Sequence, residues 1–200
     1  EIAAEFDLPI LEDDPYGLVR YEGEPLPSIH ALEGGERVTF TSSFSKTVAP
    51  GLRIGYFVVP RALASAYDDR AVSTYISPSL LPQATVHELM RRGAFEPNLE
   101  RVRGLLKARK DAMLTALAAE MPEGTRWSAP EGGYFLWLDF AGDLDAAQLL
   151  TRATEAGVTF VRGTDFFPNA SDGRSSARLA FSYETPERIA EGVALLASLL

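Results

Sequence analysis

Residues 42–56 read Ser42-Ser43-Phe44-Ser45-Lys46-Thr47-Val48-Ala49-Pro50-Gly51-Leu52-Arg53-Ile54-Gly55-Tyr56. One lysine stands among small hydroxyl residues, and an arginine follows seven positions later. These types suit a ligand that carries both a reactive carbonyl and a phosphate. The amine condenses with the carbonyl as a Schiff base, while hydroxyls and a guanidinium fork hold the phosphate dianion. Upstream, Pro9-Ile10-Leu11-Glu12-Asp13-Asp14-Pro15-Tyr16-Gly17 is a short apolar run ending in acids and a Pro/Gly turn. It reads as a buried strand opening into a loop. In open α/β sheets ligands sit beyond the carboxyl ends of strands, so Asp13 to Tyr16 stands where a site belongs.

The elements around the lysine constrain where these groups meet. Arg37 to Thr41 and Arg53 to Val59 both read as strands from their β-branched and aromatic content. The connection is too short for a parallel crossover, so the two strands run antiparallel with Lys46 on the loop between them. Ser43 then leaves one strand at the sheet end where Arg53 begins the next, and both reach one phosphate.

Later in the chain, Pro130-Glu131-Gly132-Gly133-Tyr134-Phe135-Leu136-Trp137-Leu138 is a Gly-rich turn running into an apolar strand, with Phe135 and Trp137 as core candidates. Arg178 lies in a second strand pattern, Ala177-Arg178-Leu179-Ala180-Phe181-Ser182.

Taken together, these segments closely resemble the pyridoxal-phosphate aminotransferases of fold type I, class I/II. The match to the family's lysine motif covers Ser43, Ser45, Lys46, Pro50, Gly51, Arg53 and Gly55. The resemblance implies that Lys46 is the Schiff-base lysine and general acid/base. Ser43, Ser45 and Arg53 then hold the cofactor phosphate. It gives Asp13 to the pyridine nitrogen, which a carboxylate keeps protonated so that the ring is a better electron sink. Tyr16 meets the ring oxygen, Gly132 or Gly133 lines the pocket, and Arg178 grips the substrate α-carboxylate, a bidentate task suited to guanidinium. The implied reaction is transamination between an α-amino acid and a 2-oxo acid in a homodimer. Three other outcomes fit the same residues: a pyridoxal-phosphate-dependent lyase, the aminotransferase-like effector domain of a transcriptional regulator, and a fragment with no activity of its own. Arg162 departs from the family pattern, where proline is common. It suits either a distal acidic group on the substrate or solvent.

The expected architecture is α/β. Residues 1–104 form the second half of a large cofactor-binding domain, with a mostly parallel sheet and one antiparallel strand, and residues 105–200 form an α+β small domain. Helices are expected at Glu1–Phe6, Arg61–Asp69, Leu81–Arg92, Asn98–Glu120 and Leu144–Ala156. Thr74–Ser79 reads as a loop, and strands are expected at Phe135–Asp139, Val158–Val161 and Ala177–Ser182. Thr185 and Pro186 supply an N-cap and first-turn proline for a closing helix, with Ile189, Val193, Leu196 and Leu200 on its apolar face. The resemblance matches only the second half of a typical family member, so a fragment of a chain about twice this length is expected.

Composition narrows the alternatives. There is no cysteine, so neither a disulfide framework nor a thiolate metal site is available. His30 and His87 lack metal-ligand spacing, and no metal is expected. The formal net charge of −9 argues against a nucleic-acid surface in this segment. The densest basic cluster, Arg101, Arg103, Lys107, Arg109 and Lys110, alternates with Leu99, Val102, Leu105, Leu106 and Met113 and reads as the solvated face of an amphipathic helix. No apolar run approaches the ~18 residues that span a bilayer and no signal peptide opens the chain, so a cytoplasmic location is the default expectation.

Overall fold

The computed structural model describes residues 1–169 and 171–200. The chain divides into two compact units, Glu1–Val102 and Arg103–Leu200.

In the first unit, α1 (Ile2–Glu5) precedes β1 (Ile10–Asp13), and α2 (Ile29–Glu33) precedes β2 (Val38–Ser43) and β3 (Gly55–Val58). The sheet has the order β1-β2-β3, with β1 and β2 parallel and β3 antiparallel to β2. The antiparallel return expected from the short connection is present. It registers Thr41 against Phe57 and Ser43 against Gly55. That approach is close: a Cβ on Gly55 would stand 2.9 Å from the Ser42 carbonyl oxygen. Arg53 does not begin β3 as expected; it sits just before it in the left-handed region, with φ of 53°.

The expectation that β1 is a buried strand is not met. Leu11 is 67% exposed, because β1 lies at the edge of this sheet and its Leu11 and Asp13 face is uncovered in the chain. Beyond the sheet, α3 (Ala64–Tyr75) extends six residues past the expected Asp69 and consumes the start of the expected Thr74–Ser79 loop. After it come α4 (Leu80–Arg91) and α5 (Phe95–Glu120), and the division between units falls inside α5.

The second unit contains β4 (Arg126–Trp127), which the sequence did not reveal, then β5 (Phe135–Asp139), α6 (Ala146–Glu155), β6 (Val161–Arg162), β7 (Ser176–Ala180) and α7 (Pro186–Ser198). The antiparallel sheet has the order β4-β5-β7-β6. Its buried face carries Leu136, Leu138, Ala177 and Leu179, alternating along the strands as a half-covered sheet requires. Facing helices contribute Leu149 and Ala153 from α6, and Ile189, Val193 and Leu196 at helical spacing from α7. The Thr185 hydroxyl accepts from the Arg188 amide to cap α7, with Pro186 in its first turn.

Four differences from expectation have local causes. The strand expected at Val158–Val161 shrinks to Val161–Arg162 because Gly157 (φ 96°) and Val158 close α6. Their amides donate to Thr154 and Ala153, the paired bonds of a Schellman cap. Lys110, expected on the solvated face of α5, is buried. It falls four residues after Leu106 and three before Met113, on the buried stripe, and its ammonium pairs with Asp111 at 2.8 Å. Leu105, one residue off that stripe, is 43% exposed. Leu200 lies past the end of α7 and is exposed.

Two outcomes follow. Leu138→Ala, at a fully buried position, should cost about 3 kcal/mol in denaturant unfolding of the second unit. Gly55→Ala should cost about 1–2 kcal/mol in the first unit, through the crowded Ser42 carbonyl.

Candidate active site

The parallel pairing of β1 with β2 puts the C-terminal ends of both strands at one edge of the sheet, and the antiparallel β3 starts there. Asp13, Ser43 and Arg53 therefore share that edge. Register pairs Asp13 with Thr41, and Ser43 lies two residues beyond Thr41. Strand alternation then places Asp13 and Ser43 on the same face.

The acidic triplet divides by role. The Glu12 carboxylate accepts from the amides of Ile29 and His30 at 2.8 and 2.9 Å, satisfying donors at the start of α2. The Asp14 carboxylate accepts from the amides of Tyr16 and Gly17 at 3.2 and 2.6 Å, closing the turn that sets Tyr16. Among the described residues the Asp13 carboxylate has no hydrogen-bond partner, and it is exposed. The hydroxyl of Ser42, on the opposite face from Ser43, donates to the Asp14 carbonyl at 2.7 Å and ties the ends of β1 and β2 together.

Lys46 stands in the turn between β2 and β3, half-buried, with Nζ 5.5 Å from the centroid of the Tyr16 ring. The turn is held at several points. The Phe44 amide donates to the Ile54 carbonyl at 3.0 Å, and the Phe44 carbonyl accepts from the amides of Val48 and Ala49. The Phe44 ring packs on Tyr56 and edge-on to Phe95. Thr47, next to the lysine, is buried, and its carbonyl accepts from Asn98 Nδ2 of α5 at 2.7 Å. The Thr47 hydroxyl is buried with no hydrogen-bond partner among the described residues. Ser45 lies half-buried in the same turn. Arg53 donates to the Pro50 carbonyl at 3.3 Å. Its left-handed backbone is an uncommon conformation for a residue with a side chain, and such strain concentrates at functional positions.

In the second unit, Arg178 pairs in register with Trp137 of β5 and Val161 of β6, on the sheet face opposite the buried leucines. It borders a cavity of about 650 Å³ that Phe135, Val158, Tyr183 and Arg188 also line. Its guanidinium carbon lies over the Phe135 ring at 4.0 Å from the centroid and over the Phe166 ring at 4.7 Å. Arg162, left open between substrate and solvent, donates to the Asp165 carboxylate at 2.8 Å.

The structure thus gathers Asp13, Tyr16, Ser43, Ser45, Lys46 and Arg53 at one edge of the first unit, and sets Arg178 on the sheet of the second. Sequence reading missed Asn98, whose link to Thr47 spans 51 positions and leaves no local signal. It also missed Phe166, though an aromatic pair following a Gly-Thr-Asp turn marked the place.

An amine over a tyrosine ring, a carboxylate with no hydrogen-bond partner among the described residues and an exposed arginine suit a phosphorylated carbonyl compound. Residues 1–195 match the family described as aminotransferase class I and II. An aromatic-amino-acid aminotransferase of Thermococcus litoralis is 34% identical over 197 residues, 98% of this chain and 47% of its own. A solved kynurenine aminotransferase of Pyrococcus horikoshii, in complex with PMP, superposes with a TM-score of 0.91 at 36% identity, over 99% of this chain and 49% of that one. An uncharacterized HTH-type transcriptional regulator of Bacillus subtilis, YdfD, is 30% identical over 186 residues, 93% of this chain and 38% of its own. The chain spans about half the length of the curated aminotransferase it matches. With its lysine turn built at the shared edge of a mixed sheet and its match running almost end to end, the chain belongs to the class I and II aminotransferases.

Proposed function

We propose that the chain is the lysine-bearing part of a pyridoxal-phosphate enzyme that moves an amino group between an α-amino acid and a 2-oxo acid. The observation that carries this reading is the position of Lys46. Its turn is anchored by Phe44 and Asn98, and its amine lies beside Tyr16 at the edge that also bears Asp13, Ser43 and Arg53.

The residues present fit the cofactor. Ser43, Ser45 and Arg53 offer hydroxyls and a guanidinium to its phosphate, Asp13 a carboxylate to its ring nitrogen, Tyr16 a hydroxyl to its ring oxygen, and Lys46 an amine to its carbonyl. The Thr47 hydroxyl beside Lys46, buried with no partner among the described residues, adds a polar group to the same turn. When bound, pyridoxal phosphate supplies the electron sink that makes an amino acid's α-hydrogen acidic. The chain does the rest. Lys46 takes the proton from the substrate α-carbon and, as general acid, gives it up at a second carbon rather than back to the first, and a fixed turn keeps the amine within reach for both transfers. Asp13 is suited to oppose a ring cation because its carboxylate has no hydrogen-bond partner among the described residues. Arg178 holds the substrate carboxylate, its fork matching two oxygens at once. The homodimer and a cytoplasmic location belong to the same reading; among the described residues no helix is long and apolar enough to cross a membrane.

The kinship with an HTH-type regulator supports a second reading, in which this module binds the cofactor and an effector amine without turnover. The two separate by experiment. Borohydride reduction of the full chain with pyridoxal phosphate, followed by peptide mapping, should place the adduct on Lys46 and spare Lys107 and Lys110. Under the first reading, amino transfer from a donor panel to 2-oxoglutarate is then measurable, and Lys46→Ala lowers it at least about a thousandfold. Adduct at Lys46 with no transfer, together with retardation of duplex DNA, establishes the regulator instead. Adduct spread over all three lysines overturns both.

The division of the acidic triplet predicts a contrast. Asp13→Asn should leave unfolding free energy within about 0.5 kcal/mol of the parent, yet lower kcat at least about tenfold, ~1.4 kcal/mol of barrier. Asp14→Ala should instead lower stability, because two amides lose their acceptor.

A further inference from the structure

Arg178 is held unlike an ordinary charged side chain. No salt bridge reaches it among the described residues, and its Nε is buried without a hydrogen-bond partner. Its guanidinium carbon instead lies over two aromatic rings, Phe135 at 4.0 Å and Phe166 at 4.7 Å. Cation–π contact acts through the flat face of the guanidinium. It fixes the plane of the group, and the terminal N–H donors, which lie in that plane, are taken by no salt bridge among the described residues. A carboxylate partner would hold the plane equally well but would occupy the donors.

Phe166 is itself set in place. Its ring meets Trp137 edge-on, with centroids 5.4 Å apart at 83°. The Trp137 indole donates to Asp139 at 2.9 Å, and Asp139 also accepts from the Ser176 hydroxyl at 2.7 Å. The turn that carries Phe166, Gly163–Phe166, is clamped by the Arg162–Asp165 ion pair. It is also pressed on its neighbours: a Cβ on Gly163 would stand 2.5 Å from the Gly173 carbonyl oxygen. Arg162 thus helps build the turn and faces its own chain.

We infer that Phe166 is a positioning residue that presents the terminal N–H groups of Arg178 to a substrate carboxylate, with Arg162 and Trp137 fixing the ring. This rests on the reading of Arg178 as the carboxylate clamp. The contribution falls on carboxylate binding and leaves proton transfer untouched.

The test uses the full chain loaded with pyridoxal phosphate and three amine-free probes: 3-phenylpropionate, 4-methylpentanoate and glutarate. Their dissociation constants are read by calorimetry, beside KM and kcat for the best donor. Phe166→Leu should weaken the tightest probe about fivefold to tenfold, raise KM by a similar factor and leave kcat within about twofold. Phe166→Tyr should restore both. Arg178→Gln should abolish binding of all three probes. If Arg178→Gln abolishes binding while Phe166→Leu binds as the parent does, the positioning role fails and the clamp survives. If Arg178→Gln binds the probes as tightly as the parent, the clamp reading fails and this inference with it. Should Phe166→Leu melt far below the parent, Phe166→Met, closer in volume, reads the same constants, and an unchanged probe affinity there overturns the role.

Discussion

The candidate active site depends on the tight return of the chain between β2 and β3. Because Ser43 is registered against Gly55, the chain has only residues 44–54 in which to reverse, and the reversal is where Lys46 stands. Backbone hydrogen bonds around Phe44 close the turn, the ring of Phe44 seats it on Tyr56 and Phe95, and Asn98 secures it at Thr47. Arg53 takes the left-handed conformation that brings the chain into β3. A wider loop would let the amine wander; a parallel crossover would carry Arg53 to the far end of the sheet. Placing reactive groups on a short connection between rigid strands is how a scaffold supplies both exposure and precision.

Around that return, polar residues fall into those that build and those that stay open. Glu12, Asp14 and Ser42 are engaged with backbone groups, and each satisfies donors or acceptors that would otherwise weaken a helix start or strand end. Asp13 and Ser43 lie on the other face of the same strands. The second unit reaches a similar division by different means. There the buried faces of β5 and β7 are apolar, while the opposite face carries an arginine held by aromatic rings, so that no carboxylate among the described residues takes its terminal donors. Elsewhere ion pairing serves structure alone: hydrogen bonds from Lys107 and then Lys110 hold the Asp111 carboxyl below the usual carboxylate range.

Much of this was legible in the order of residues. The β-branched and aromatic run before Ser43, the short gap to the next such run and the Pro-Gly turn between them specify an antiparallel return, since each is a near-neighbour preference of the backbone. Thr185 and Pro186 announced α7 for the same reason. Errors came where a local pattern competed with a longer-range demand. Val158 looked like a strand residue, yet its amide was needed to close α6. Lys110 looked like surface because lysines usually are, although helical spacing put it on the stripe of Leu106 and Met113. Leu11 looked buried because apolar runs usually are, and among the described residues nothing covers it.

By itself, the sequence determined the chemical kinds present, the turns and caps, and the alternation that separates Glu12 from Asp13. All of these are set by residues within a few positions of one another, where dihedral preference and periodicity act. Only the tertiary structure decided that Tyr16 lies beside Lys46, that Asn98 secures the lysine turn, and that Phe135 and Phe166 take the guanidinium of Arg178. Those contacts join residues twelve to fifty-one positions apart, and no pattern in the chain encodes them. They form only once burial of the apolar faces and the strand register have fixed which distant side chains share the same few ångströms.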